Sequence, residues 1–159
     1  MKKRVLFVCL GNICRSPSAE AIMNFQVKER GLEDSFYIDS AGLSGFHSGD
    51  SADRRMMMYA ARRGYVLDHV SRKFYPDADF EAFDLIIGMD DQNIRALRQM
   101  ANSREESQKI RKMTDFCRSF VGRDCVPDPY YGGESGFELV LDLLEDAVSG
   151  LLDELSVEK

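Results

Sequence analysis

An α/β fold, with an open, twisted, parallel sheet of about four strands, helices on both faces and a single domain over residues 1–159, is predicted by three observations. Short apolar runs such as Val5-Leu6-Phe7-Val8 and Leu85-Ile86-Ile87 have no polar alternation, which suits strands covered on both sides. Segments of helical period alternate with those runs. There is no repeat, low-complexity stretch or Pro/Gly-rich linker long enough to divide the chain.

Taken in order, Val5–Val8 is the first strand, and Gly11 ends its run. A helix follows with Ser16 as hydroxyl N-cap, Pro17 at the first helical position, Ala19, Ile22, Met23 and Val27 facing inward, and Gly31 as stop. Phe36-Tyr37-Ile38 is the second strand, and residues 41–50, rich in glycine and serine, form a loop. Ser51 to Arg63 is predicted helical with a stop at Gly64, and Met56-Met57-Met58 on it fill core. Leu85–Ile87 is a third strand, followed by a helix over Asp91–Ala101. The charged stretch 102–112 contains a helical segment, and Met113 to Phe116 is the fourth strand. Ser135 and Glu138 make a capping box for a last helix, whose Phe137, Val140, Leu141, Leu144, Val148, Leu151, Leu152 and Leu155 keep helical spacing.

Composition excludes several functions. With 21 Lys and Arg against 27 Asp and Glu, the net charge of -6 has the wrong sign for a general nucleic-acid binder. No apolar run approaches the roughly 20 residues needed to span a bilayer, so no membrane partner is expected. Met1-Lys2-Lys3-Arg4 begins like a secretory leader, but the apolar run behind it is too short, and the chain is expected to be cytoplasmic. Cys9, Cys14, Cys117 and Cys125 form no C-x-x-C pair, and two histidines cannot complete a zinc set. Cys117 and Cys125 are expected to be ordinary buried thiols, and no metal or cofactor is called for.

In such a sheet the ligand site lies beyond the carboxyl ends of the strands, and here the first strand-to-helix loop reads Cys9-Leu10-Gly11-Asn12-Ile13-Cys14-Arg15-Ser16. A loop that ends at a helix N-terminus aims backbone N–H groups at one point and suits a phosphate-sized anion. A cysteine at its start has its thiolate stabilised by the same donors and is armed as a nucleophile. Arg15 at the far end can hold two phosphoryl oxygens with its planar fork, which Lys cannot reproduce. Ser16 can both cap the helix and donate to the thiolate. The bland alternative is a structural Cys9 and a surface Arg15.

The run C-L-G-N-I-C-R-S-P resembles the phosphate-binding loop of the low-molecular-weight protein tyrosine phosphatases. Asp39-Ser40-Ala41-Gly42, Met89-Asp90 with Asn93, and Asp128-Pro129-Tyr130-Tyr131 fit the same family in order. The resemblance implies cysteine-dependent hydrolysis of protein phosphotyrosine and small aryl phosphates through a phosphocysteine, with inorganic phosphate as product. Asp128, between Pro127 and Pro129, is the expected general acid; an Asp-Pro turn is the alternative. The resemblance places Leu10, Gly11, Asn12, Ile13, Cys14 and Ser16 around the phosphate, and has the Asn12 amide tie the loop to Ser40 or His69. Phe46 and Leu43 would form one wall of the cleft, with Tyr130 and Tyr131 stacking on an aromatic leaving group. Asp90 is expected to cap the helix after it. Cys14, five residues after Cys9 in one tight loop, is the expected redox partner, against the alternative of an inert packed thiol.

Competing readings differ in chemistry. A thioredoxin-coupled arsenate reductase of the same fold needs relay cysteines, and the stretch Met89 to Met100 has none. A phosphoarginine phosphatase tends to carry Thr where this loop has Ile13. A non-catalytic phosphate-binding module would lack Cys9, Arg15 or Asp128, and all three are present. A weak homodimer is neither required nor excluded by the sequence.

Overall fold

The first strand, β1 (Lys3–Cys9), is the centre of the fold, and its side chains split by the strand's period of two. Val5, Phe7 and Cys9 enter one buried cluster, whereas Leu6 and Val8 enter another on the opposite face. An unbroken apolar strand is therefore required, since both faces are covered. The computed structural model describes residues 2–129 and 133–157.

After β1 come α1 (Arg15–Glu29), β2 (Phe36–Gly42), α2 (Arg54–Ala61) and α3 (Pro76–Ala82). Then follow β3 (Leu85–Gly88), α4 (Asp91–Met100), α5 (Arg104–Gln108), β4 (Ile110–Lys112) and α6 (Glu134–Val157). The sheet is parallel throughout with strand order β2-β1-β3-β4. The chain leaves β1 to one side for β2 and returns to the other side for β3. The crevice beyond the carboxyl end of β1 is therefore the topological switch point, where open α/β sheets bind ligands. Cys9 pairs in register with Gly42, and Val8 with Gly88, so three strand ends converge there.

The larger core packs α1, α2 and α6 against one sheet face. Phe137, Leu141, Leu144, Val148, Leu151 and Leu152 of α6 are all buried, each contributing about 1.5–3 kcal/mol of apolar burial. Gly150 lets α6 lie directly on the 3-10 turn at Met113–Phe116, because a Cβ there would stand 1.9 Å from the Phe116 carbonyl oxygen. The smaller core holds Phe80 of α3, Phe83, and Ile94 and Leu97 of α4 against the other face. Among the described residues, no helix is long and apolar enough to cross a membrane.

Several local expectations are corrected. The fourth strand is Ile110–Lys112, and Met113–Phe116 is the 3-10 turn, because Met113 and Phe116 turn into the α6 core rather than pairing with β3. Helix α1 begins at Arg15, so Ser16 lies inside its first turn and Cys14 holds the cap position without a side-chain bond. Helix α6 starts at Glu134, one residue before the expected Ser135 cap. In α2 the cap is Asp53, whose carboxylate accepts the Arg55 and Met56 N–H groups, and of the three methionines only Met56 is buried. Helix α3 escaped the sequence reading, although Pro76 at its first turn followed by Asp77 and Asp79 is a helix-start pattern. Cys117 is buried as expected, but Cys125 is only partly so.

Candidate active site

The loop between β1 and α1 curls because its carbonyl oxygens are taken from outside. Those of Cys9 and Leu10 accept the Leu43 and Ser44 N–H groups at 3.0 and 2.9 Å, and that of Ile13 accepts the Asp53 N–H at 2.9 Å. The Asn12 carbonyl accepts the Ser71 hydroxyl at 2.6 Å. Since N–H and C=O of a trans peptide unit point opposite ways, outward carbonyls turn the amides inward. The Asn12 N–H, on the peptide unit of Gly11, also points inward and donates to Cys9 Sγ at 3.3 Å. Asn12 has φ 57°, the left-handed region that asparagine tolerates better than most residues. Gly42 lets β2 approach this turn, since a Cβ there would lie 3.0 Å from the Asn12 Cβ.

Cys9 Sγ lies 3.0 Å from Ser16 Oγ, so the serine that does not cap the helix instead reaches back to the thiol. Arg15 is buried, yet three acceptors surround it. Its Nη1 donates to Asp90 Oδ2 at 2.7 Å and to the Val126 carbonyl at 3.1 Å, and its Nη2 lies 3.7 Å from Asp128 Oδ2. Burial works against the guanidinium charge, but Cys9, Asp90 and Asp128 outweigh it and hold the group protonated. Asp90 has two duties, because its other oxygen accepts the Asn93 N–H at 2.8 Å and caps α4. Cys9, Ile13, Arg15, Phe46, His47 and Asp128 line one cavity of about 520 Å³.

Behind the loop lies a buried polar network. The Asn12 amide nitrogen donates to Ser16 Oγ at 2.7 Å and to Ser40 Oγ at 3.1 Å, while its Oδ1 sits 3.0 Å from His69 Nε2. Ser40 donates to Glu20 Oε1 at 2.7 Å, and His69 Nδ1 lies 3.1 Å from that oxygen and 3.6 Å from Asp39 Oδ1. Burial disfavours a charged His69 and Arg72 opposes it, but the Glu20 hydrogen bond with the charges of Glu20 and Asp39 raises its pKa above the ordinary value. A raised pKa means that this stabilisation is complete below the unfolded histidine value of about 6.5 and is lost as pH rises through the folded value. Glu20→Gln is expected to cost about 2 kcal/mol at neutral pH and to flatten the fall of Tm above that pH, measured by thermal unfolding across a pH series. Equal pH slopes in both proteins would remove His69 as the titrating group.

Glu20, Asp39 and His69 bring potential metal-ligand atoms within 4.8 Å of one another. Arg72 also donates to Asp39, at 3.2 Å, so a cation of the protein already shares that acidic group.

The structure thus brings Cys9, Arg15 and Asp128 to one cavity and Asn12, Ser16, Ser40 and His69 behind it. Of the two expected wall residues, Phe46 is exposed and lines the cavity, whereas Leu43 is partly buried against the smaller core; Leu10, expected around the phosphate, lines the cavity and is exposed. Cys14 lines the same cavity as Cys9, and its thiol pKa is strongly raised by burial, then by Asp53 and Cys9. Tyr130 and Tyr131 lie outside the described residues. Sequence reasoning missed Glu20, Ser71, Arg72 and Asp79. Ser71 and Arg72 bond Asn12 directly, Glu20 reaches it through Ser40 and His69 and Asp79 through Arg72, and no local spacing marks these tertiary contacts.

An oxyanion-sized cradle at a strand-to-helix turn, with a thiol at its floor and a buried guanidinium at its edge, defines a class of α/β anion-handling proteins. A sequence profile described as low molecular weight phosphotyrosine protein phosphatase matches residues 4–159. A Synechocystis protein named for the same family is 48% identical over 155 residues, 98% of each chain. The crystal structure of a protein tyrosine phosphatase from Entamoeba histolytica with Hepes in the active site is 44% identical, with TM-score 0.94 over 99% of each chain. The Drosophila arginine phosphatase structure is 32% identical, with TM-score 0.86 over 98% of each chain. The chain belongs to the low molecular weight phosphotyrosine protein phosphatase family.

Proposed function

We propose that the protein hydrolyses protein phosphotyrosine, and small aryl phosphates, through a phosphocysteine on Cys9. The observation that carries this reading is the convergence of Cys9 Sγ, the Arg15 fork and the Asp128 carboxyl on one cavity floored by inward amides. The Cys9 thiolate attacks phosphorus, the P–O bond to the leaving group breaks, and Asp128 gives that oxygen its proton. Arg15 and the loop amides hold the equatorial oxygens, matching charge that is spread over them in a loose transition state. Asp128, now a carboxylate, takes a proton from water as it attacks phosphocysteine. Inorganic phosphate leaves and the thiolate is restored. Ser16, 3.0 Å from Sγ, stabilises the thiolate as nucleophile and as leaving group.

Asp128→Asn is expected to reduce kcat/KM, which reports the first phosphoryl transfer, by about 10²–10³-fold on an alkyl or unactivated aryl phosphate but by only about tenfold or less on a nitrophenyl phosphate, whose phenolate departs unprotonated. Initial rates over a series of leaving groups test this. Equal losses across the series would return Asp128 to a structural role.

A phosphoarginine activity is the second reading, favoured by the likeness to the Drosophila arginine phosphatase. Against it stands Ile13, an apolar group on the cavity wall that offers an aryl ring a surface and a guanidinium no acceptor. Parallel kcat/KM values for a phosphotyrosine and a phosphoarginine peptide decide between them. A larger value for phosphoarginine would overturn the substrate assignment. Cys117 lies against the Leu143 carbonyl and Asp146, with its pKa pushed up to about 11 by burial and Asp146, and does not line the cavity. That placement favours hydrolysis over a disulfide relay.

Peroxide would convert the Cys9 thiolate to a sulfenic acid, and attack by Cys14 sulfur on it forms the disulfide and releases water. Wild-type protein is expected to regain activity with dithiothreitol after a mild peroxide dose, whereas Cys14→Ser becomes irreversibly inactive. Full recovery of Cys14→Ser, measured in the same assay, would deny Cys14 the protective role.

A further inference from the structure

We propose that the ion pair between buried Asp79 and half-buried Arg72 is a lock that holds the anion cradle in its binding shape before a ligand arrives. The inference rests on the reading of the β1–α1 loop as a phosphoryl site. It assigns a positioning role to two residues that touch neither Cys9 nor the cavity.

The chain of contacts runs from helix α3 to the thiol. Asp79 accepts both terminal nitrogens of Arg72, at 3.0 and 3.1 Å, and also the Tyr75 N–H at 2.8 Å. Arg72 further donates to Asp39 at 3.2 Å and to the Lys73 carbonyl at 3.2 Å, so its fork is fixed on several sides. Burial opposes the Arg72 charge, and Asp79 and Asp39 more than offset it.

The clamped guanidinium fixes its own backbone. The Arg72 N–H donates to Asn12 Oδ1 at 3.0 Å, and the neighbouring Ser71 hydroxyl donates to the Asn12 carbonyl at 2.6 Å. The segment is tied to β2 on both sides of Lys73, through Gly42 N–H to Arg72 O at 2.8 Å and Phe74 N–H to Gly42 O at 2.7 Å.

Asn12 is the described non-glycine residue with positive φ. A side-chain-bearing residue persists there when its surroundings over-determine it. Segment 69–72 supplies that determination from one side, through His69, Ser71 and Arg72. If it slackens, Asn12 can relax toward negative φ. Its N–H, now 3.3 Å from Cys9 Sγ, would then turn away, and its amide would release Ser16 and Ser40.

The consequence is a population effect. A cradle that is formed only part of the time binds its anion more weakly by the fraction formed, while the saturated enzyme, reassembled by its ligand, reacts normally. Loss of the lock should therefore raise KM and the dissociation constant of inorganic phosphate together and leave kcat nearly unchanged. Loss of a group that acts in the chemical step lowers kcat instead.

The test is calorimetric titration with inorganic phosphate, beside aryl phosphate kinetics, on wild type, Asp79→Asn, Arg72→Gln, the double variant and Arg72→Lys. Asp79→Asn and Arg72→Gln are each expected to weaken phosphate binding and raise KM by about tenfold, with kcat within about twofold. The double variant should be no weaker than either single one, since both break the same pair. Arg72→Lys, which keeps the charge and loses the fork, should fall between and serves if Asp79→Asn does not fold. Tyr65→Phe, which removes a hydroxyl bond to Glu145 away from the loop, controls for general destabilisation and should bind phosphate as wild type does. Wild-type phosphate affinity in Asp79→Asn, or a fall in kcat at constant KM, would overturn the lock alone. A wild type that binds no phosphate would overturn the reading of the cradle and the lock with it.

Discussion

Cys9→Ser is expected to lower kcat by at least about 10⁴-fold while leaving Tm within a few degrees of wild type. The chemical reason is the availability of the nucleophile. A serine hydroxyl is not ionised at neutral pH, and the hydrogen-bond partners described for position 9 are an alcohol and an N–H donor rather than a base. Ser16 is an alcohol 3.0 Å away, and the Asn12 N–H is a donor. Groups arranged to stabilise an anion cannot generate one from an alcohol. The fold has little to lose, since oxygen for sulfur at a buried, hydrogen-bonded position keeps its partners. Phosphate should still bind, because the remaining amides and Arg15 are untouched. Steady-state rates with calorimetric phosphate titration separate the two effects. Near wild-type turnover in Cys9→Ser would remove the cysteine from the mechanism.

Arg15→Lys is expected to cost about 10²–10³-fold in kcat/KM, comparable to the loss of an oxyanion-binding donor elsewhere. Arg15 holds Asp90 and the Val126 carbonyl with one nitrogen and turns another toward Asp128 and the cavity. A lysine retains the charge and the Asp90 pair but has no rigid fork with which to serve the structural acceptors and a phosphoryl group together. Alanine would be the poorer probe, because Asp90 and a buried carbonyl would be left without their donor and folding would suffer as well. A loss of tenfold or less in Arg15→Lys, in initial-rate assays, would make the residue a structural strut.

What the sequence makes legible follows the range of the interactions. Val5–Val8 is recognisable as a buried strand because each residue answers to its own neighbours on two covered faces. The cradle is legible because cysteine, glycine, arginine and Ser-Pro follow one another within a single strand-to-helix turn. Ser16 has the composition of a cap, but tertiary bonding to Cys9 and Asn12 draws it into the first turn of α1. Met113–Phe116 has a strand's apolarity yet serves α6, a choice made by a helix that begins some twenty residues later. Ser71, Arg72 and Asp79 were invisible for the same reason. Asn12 lies 59 and 60 residues from its partners Ser71 and Arg72, Asp79 joins it only through Arg72, and no short spacing encodes those contacts.

The central claim, a covalent phosphocysteine on Cys9, is tested most directly by trapping it. In Asp128→Asn the activated leaving group departs without a proton, but the water that should hydrolyse the intermediate has lost its base, so the intermediate accumulates. Rapid quenching of that variant after mixing with a nitrophenyl phosphate, followed by peptide mass spectrometry, is predicted to find a phosphoryl group on the peptide containing Cys9, in nearly stoichiometric yield and absent from Cys9→Ser. A phosphoryl group on Ser16 or His69, or normal turnover with no modified residue at any time point, would contradict the account.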